Sequence, residues 1–150
     1  MAHSPKEARR RKSAIRLWTF AQAKAAIPYI TSVVRSLREH TLESQKQQAK
    51  LDKITGQSGR PTRDTLIEAE ETRKALHRAQ DEHSGAAAEL GALDIMPLDP
   101  LQGTALVPFV HDDQLAWYVF DLHEPQSFKS WRYHSDPEET RRRLTASQTR

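Results

Sequence analysis

A chain of 150 residues is long enough for one domain with one core, yet only 37% of it is hydrophobic, below the ~45–50% of ordinary globular chains even with glycine added, so a thin core and an extended shape are expected. The absence of cysteine excludes disulfides, thiolate nucleophiles and Cys-ligated zinc or iron–sulfur sites. No apolar run reaches the ~18–20 residues of a membrane helix and the basic N-terminus lacks a signal-peptide core, so a cytoplasmic protein is expected.

The net charge of +3 is unevenly spread: +5 over residues 1–17, −4 over residues 18–131 and +2 over residues 132–150. The body is mildly acidic and the ends are basic, whereas nucleic-acid-binding domains more often carry a positive patch on the folded surface.

Residues 1–14, with Arg9, Arg10, Arg11 and Lys12, lack apolar periodicity and are expected to form a basic flexible arm. Ile15 to Trp18 alternate like a short strand, and Thr19 is a good N-cap for a following helix. Phe20, Ala23, Ile27, Ile30, Val34 and Leu37 keep a three-four spacing that puts them on one helical stripe. The same spacing continues through Thr41, Ser44 and Gln48 to Leu51, so the seam is apolar near its base and polar towards its tip. Pro28 removes a helical donor, and a kink is expected nearby.

The run from Gly56 to Pro61 reverses the chain. A second helix carries Leu66, Ala69, Leu76, Ala79, Ala86 and Leu90 on its inner stripe, shared with Thr72 and His83; Gly85 loosens it and Gly91 ends it. The hairpin spans residues 19–90, and its first arm should be on the order of 50 Å long. Asp94 to Gly103, with Pro97 and Pro100, is expected to be an irregular connector.

Three strands, Thr104 to Val110, Leu115 to Leu122 and Phe128 to Tyr133, are separated by turn-forming segments and predict an antiparallel meander. Pro108 makes its strand an edge or bulged there. Asp136-Pro137-Glu138-Glu139 has the form of a helix start, so residues 135–150 are expected to form a short basic C-terminal helix or tail containing Arg141, Arg142 and Arg143. The fold class expected is α+β: a long antiparallel helical hairpin, coiled-coil-like, packed at its base on a small antiparallel sheet of three to four strands, with residues 15–134 as its single domain.

Several of these residues occur in a familiar order. Leu17-Trp18-Thr19-Phe20-Ala21-Gln22-Ala23 with Ile27-Pro28, then Gly91 and Gly103, then Tyr118-Val119-Phe120-Asp121-Leu122-His123-Glu124-Pro125 and Trp131 resemble a bacterial family known only as a domain of unknown function (family 2203). The resemblance runs from about Ile15 to His134. It implies an architecture like the one read above and no established activity. Glu124 falls on the family's Glu; His123 stands where the family has Gly, and Arg132 at the position of the family's His.

Among chemistry-bearing residues, His111, Asp112, Asp113, Asp121, His123, Glu124 and His134 lie in or beside the strands. Asp121, His123, Glu124 and His134 are the candidate metal ligands, for a metal-assisted hydrolase, although their spacing matches no closed metal motif. His40, His77 and His83 read as surface or seam positions. No nucleophile–base pair, P-loop or dinucleotide fingerprint is present, so no catalytic residue and no cofactor are expected.

Trp117, Tyr118, Phe120, Phe128, Trp131 and Tyr133, interleaved with Lys129 and Arg132, could stack bases. Strand alternation favours placing half of them in the core, and the nearby carboxylates would repel phosphate. The function expected is a non-catalytic protein-interaction or scaffold module that uses the hairpin and a sheet edge on a partner or on a second copy of itself. The alternative is an RNA- or ribosome-associated factor that holds phosphate with Arg9 to Lys12 and Arg141 to Arg143.

Overall fold

Thr19 opens the helical half by a reciprocal cap: its hydroxyl accepts from the Gln22 amide and the Gln22 side chain accepts from the Thr19 amide, both at 3.1 Å. The computed structural model describes residues 14–150. Helix α1 runs Phe20–Ala25, breaks at Ala26, and is followed by α2, Ile27–Thr55, with Pro28 in the opening turn of α2. The expected kink falls at Ala26, whose backbone stays in the right-handed helical region and keeps its bonds to Gln22 and Ile30, and the proline sits in the opening turn, where its missing N–H costs least. Thr62, one residue after Pro61, caps α3, Arg63–Ala92.

The sheet has five strands in the order β1-β2-β3-β4-β5, all antiparallel: β1 Met96–Asp99, β2 Thr104–His111, β3 Gln114–Asp121, β4 Ser130–Tyr133 and β5 Arg142–Arg143. An α+β hairpin on an antiparallel sheet is therefore correct, but three to four strands is one or two too few. The segment 94–103, expected to be irregular, holds β1; a register shift between Pro97 and Asp99 accommodates the missing donor. The C-terminal helix expected after Asp136 does not form. The Asp136 carboxylate accepts instead from the Tyr133 amide at 2.9 Å and from Arg142, which leaves it no capping role, and the chain continues into β5 and a short 3₁₀ turn, Ala146–Gln148.

The β2–β3 loop is two residues, Asp112 and Asp113, with φ of 51° and 58°, the left-handed pair that a two-residue hairpin requires. Ile15 to Trp18 form no strand, but the Trp18 amide donates to the Pro108 carbonyl at 2.8 Å. Pro108 lies beyond the stretch of β2 that β1 covers. It is a local edge, as its lack of a donor requires, and Trp18 closes it.

The core sits between the hairpin base and one face of the sheet. Ile27, Ile30, Val33, Val34 and Leu37 of α2 and Ala86 and Leu90 of α3 pack with Val107, Phe109, Tyr118, Phe120, Phe128 and Trp131. Leu106, Trp117 and Val119 form a smaller cluster on the opposite face. Past Leu37 and before Ala86 the helices bury only Ile54, Ala69, Thr72, Leu76 and Ala79, in neither cluster. At ~1.5 Å per residue, residues 38–55 carry α2 about 27 Å beyond the sheet-side core. Leu66, expected on the inner stripe, is 57% exposed, because the buried spacing runs back from Ala69 to the half-buried Thr65.

Candidate functional site

The expected metal ligands do not come together. β4 pairs with β3 so that Ser130 lies opposite Val119 and Tyr133 opposite Ala116, which carries His134 to the start of β3, where its amide donates to the Leu115 carbonyl. Asp121 is at the other end, six residues or ~20 Å away. His134 Nδ1 there accepts from the Trp117 indole at 3.2 Å.

Asp121 ends β3, so His123 lies in the turn rather than on the same strand face, and its amide is bonded to the Asp121 carboxylate at 2.9 Å. Glu124 pairs with Lys129 at 3.0 Å. Among the described residues no three His, Asp or Glu side chains gather as a cation site. Asp121 and Glu124 do share a cleft of about 190 Å³ with Thr104, Ser127, Lys129 and Arg141, at the end of the sheet face turned away from the helices.

Of the basic residues proposed for phosphate, the C-terminal ones can be placed. Arg9 to Lys12 lie outside the described residues. Arg142 grips both oxygens of Asp136, at 2.8 and 2.9 Å, and lies over the rings of Trp131 and Tyr133. Its bonds, then that of the Tyr133 amide, hold Asp136 down at about 2 against the opposing effect of desolvation. Arg141 donates to the carbonyls of Glu138 and Thr140. Arg142 fastens the C-terminal segment to the sheet, while the bonds of Arg141 stay within that segment.

The sheet aromatics are core groups. Phe109 and Tyr118 stack at 3.8 Å, with Phe20, Phe128 and Trp131 edge-on or tilted around them. Trp117 is buried on the opposite face. Burial pushes the Tyr118 phenol up to about 12.

The helical histidines sit on the seam or in water. His40 pairs across the hairpin with Glu82 at 3.0 Å, His83 borders a polar gap with Thr41, Ser44 and Gln80, and His77 is exposed.

The hairpin tip supplies a feature that the sequence reading passed over. A cleft of about 480 Å³ opens between the end of α2, the 56–61 loop and the start of α3, with Ile54 and Ala69 at its floor, Leu66 on its lip, and Arg60 and Arg73 among its lining. Arg73 pairs with Glu70 on its own helix at 3.6 Å. Over residues 54–73, which span the lining of the cleft, Arg60, Arg63 and Arg73 stand against Asp64, Glu68, Glu70 and Glu71, a net charge of −1.

Compared with models of known protein families, with curated proteins and with solved structures, the chain matches none. The likeness of residues 15–134 to the uncharacterised bacterial family stays a likeness of motifs. No helix among the described residues is long and apolar enough to cross a membrane.

Proposed function

We propose that this chain is a non-catalytic protein-interaction module that engages its partner through the distal end of the helical hairpin, with the sheet and aromatic core as its anchor. One observation carries the reading. The distal arms continue past the core that holds them and end in the cleft of about 480 Å³, with Leu66 and Ile67 exposed beside it. A long arm with little internal burial costs conformational entropy without a matching gain in stability, and contacts made at its far end account for keeping it. The sheet edge contributes less, because β1 is four residues long and interrupted by Pro97 and a register shift.

The test is site-specific photo-crosslinking in the native host, with the reactive residue at Ile67 and, as control, at the exposed Gln126. Discrete protein cross-links at position 67 that are missing at position 126 support the reading. Equal or absent cross-links at the two positions would remove it.

A further inference from the structure

We propose that Asp136, Trp131 and Tyr133 form an arginine-binding site for which two segments of this chain compete: residues 141–146, which fill it in the structure, and residues 9–14, which repeat them in sequence. The inference is independent of the hairpin reading. The chemistry of the site is given by its occupant. The Arg142 guanidinium lies 5.6 and 5.0 Å from the ring centres of Trp131 and Tyr133 and meets both oxygens of Asp136 at 2.8 and 2.9 Å, a planar, bidentate fit that an ammonium group does not reproduce. The surroundings also favour a basic segment, since residues 132–140 hold Asp136, Glu138 and Glu139 against Arg132, a net charge of −2.

The present occupant is lightly held. β5 is two residues long, and of residues 141–147 only Leu144 is half-buried, the others being exposed. Among the described residues the buried indole N–H of Trp131 meets no acceptor, so the segment covers the site without completing it.

The competitor is legible in the sequence. Arg141-Arg142-Arg143-Leu144-Thr145-Ala146 is echoed by Arg9-Arg10-Arg11-Lys12-Ser13-Ala14, with four identities and a Thr-to-Ser exchange over six positions. Residues 9–13 lie outside the described residues, but the chain that follows them is placed: Leu17 shares the walls of a cleft of about 240 Å³ with Ser147, Gln148 and Arg150. Eight residues lead from Leu17 back to Arg9, about 27 Å of extended chain, and the C-terminal segment covers the way from Gln148 to Arg142 in six. The tether keeps the competitor at high effective concentration. Lys12 stands where the occupant has the half-buried Leu144, so residues 141–146 prevail at rest, and exchange would uncover the end of the aromatic core at Tyr118.

The chain has no cysteine, so a nitroxide on Lys12→Cys reports on the N-terminal segment alone. Broadening of the Trp131 indole and Tyr133 amide signals is followed by NMR in the otherwise unaltered chain, in Arg142→Ala and in an Arg142→Ala, Asp136→Asn double variant, with circular dichroism confirming that each is folded. The result expected is that both signals persist in the first, are lost in Arg142→Ala and return in the double variant. Signals that stay sharp in Arg142→Ala would overturn the proposal, as would broadening that survives the loss of the Asp136 carboxylate. If Arg142→Ala does not fold, Tyr118→Phe decides in its place, because it frees Gln148 and leaves the site whole: broadening beyond that of the parent is expected, and none would overturn the proposal. Broadening in a mixture of spin-labelled chains with isotope-enriched, unlabelled ones would place the segment on a second copy and overturn the intrachain assignment.

Discussion

The phenol of Tyr118 donates to the backbone carbonyl of Gln148 over 2.6 Å, so the middle of β3 is tied to the last turn of the chain. Gln148 is held in turn by Thr145, whose amide and hydroxyl both reach its side-chain oxygen at 2.8 Å. The C-terminal 3₁₀ turn thereby closes one end of the aromatic core.

Tyr118→Phe keeps the stack on Phe109 and removes only the hydroxyl, leaving the Gln148 carbonyl without its buried donor. A loss of ~1–2 kcal/mol is expected in urea unfolding. The same group sets an alkaline limit. Its folded value, about 12, lies above the ordinary 10.0, so its contribution is complete below pH ~10 and is lost as pH rises from there through about 12. The unaltered protein should lose stability across that window, and the Tyr118→Phe variant should lose visibly less; parallel pH profiles would refute the assignment.

The acid limit falls to Asp136. With its value lowered from 3.8 to about 2, its contribution is complete above pH ~4 and is lost as pH falls through about 2. Asp136→Asn should flatten the decline in melting temperature between pH 4 and 2 relative to the parent chain. It should also loosen β5, which shows as faster amide exchange at Arg142 and Arg143. An unchanged acid limb in the variant would mean that other carboxylates govern it.

The helices were legible because the three-four apolar spacing persists over many turns, and β2 and β3 because alternation and the Asp112-Asp113 turn bracket them. Leu66 was misplaced because hydropathy prefers it to Thr65, while the geometry of α3 follows the spacing set by Ala69, Thr72 and Leu76. β1 is short and carries a proline, so its pairing depends on β2 lying alongside it. β5 was hidden by a helix-start signature whose Asp is occupied elsewhere. The separation of His134 from Asp121 follows from strand register, which no spacing along the chain reveals. The tip cleft needed two helix ends to be brought together, which no single stretch of the sequence shows.

The hairpin should open from its tip. The distal seam buries Thr72 and two alanines beside Ile54 and Leu76, while the proximal seam buries Ile27, Ile30, Val34, Leu37 and Leu90 against the sheet. Amides in residues 44–52 and 66–76 should therefore exchange at least about tenfold faster than those in 30–37 and 86–90. Thr72→Leu or Thr72→Val tests whether the deficit lies in the seam: either should slow distal exchange with little effect on the proximal amides. Uniform exchange along both helices would contradict this division.

Two glycines in different settings should respond to alanine with opposite signs. Gly103 has φ of +78°, its carbonyl accepts from the Leu122 amide at 2.9 Å, and an added Cβ would lie 2.6 Å from the Leu122 Cβ. Gly103→Ala meets both a left-handed backbone and a neighbour fixed close to its own main chain, so a loss of ~2–4 kcal/mol is expected. Gly85 lies within α3, and an added Cβ would meet nothing within 4 Å. Gly85→Ala removes freedom from the unfolded chain at no steric cost and should gain ~0.5–1 kcal/mol. Thermal melts of the two variants beside the parent decide the matter: stabilisation by Gly103→Ala would mean that the β1–β2 turn relaxes away from Leu122, and destabilisation by Gly85→Ala would mean that the two arms approach more closely at that turn of the seam.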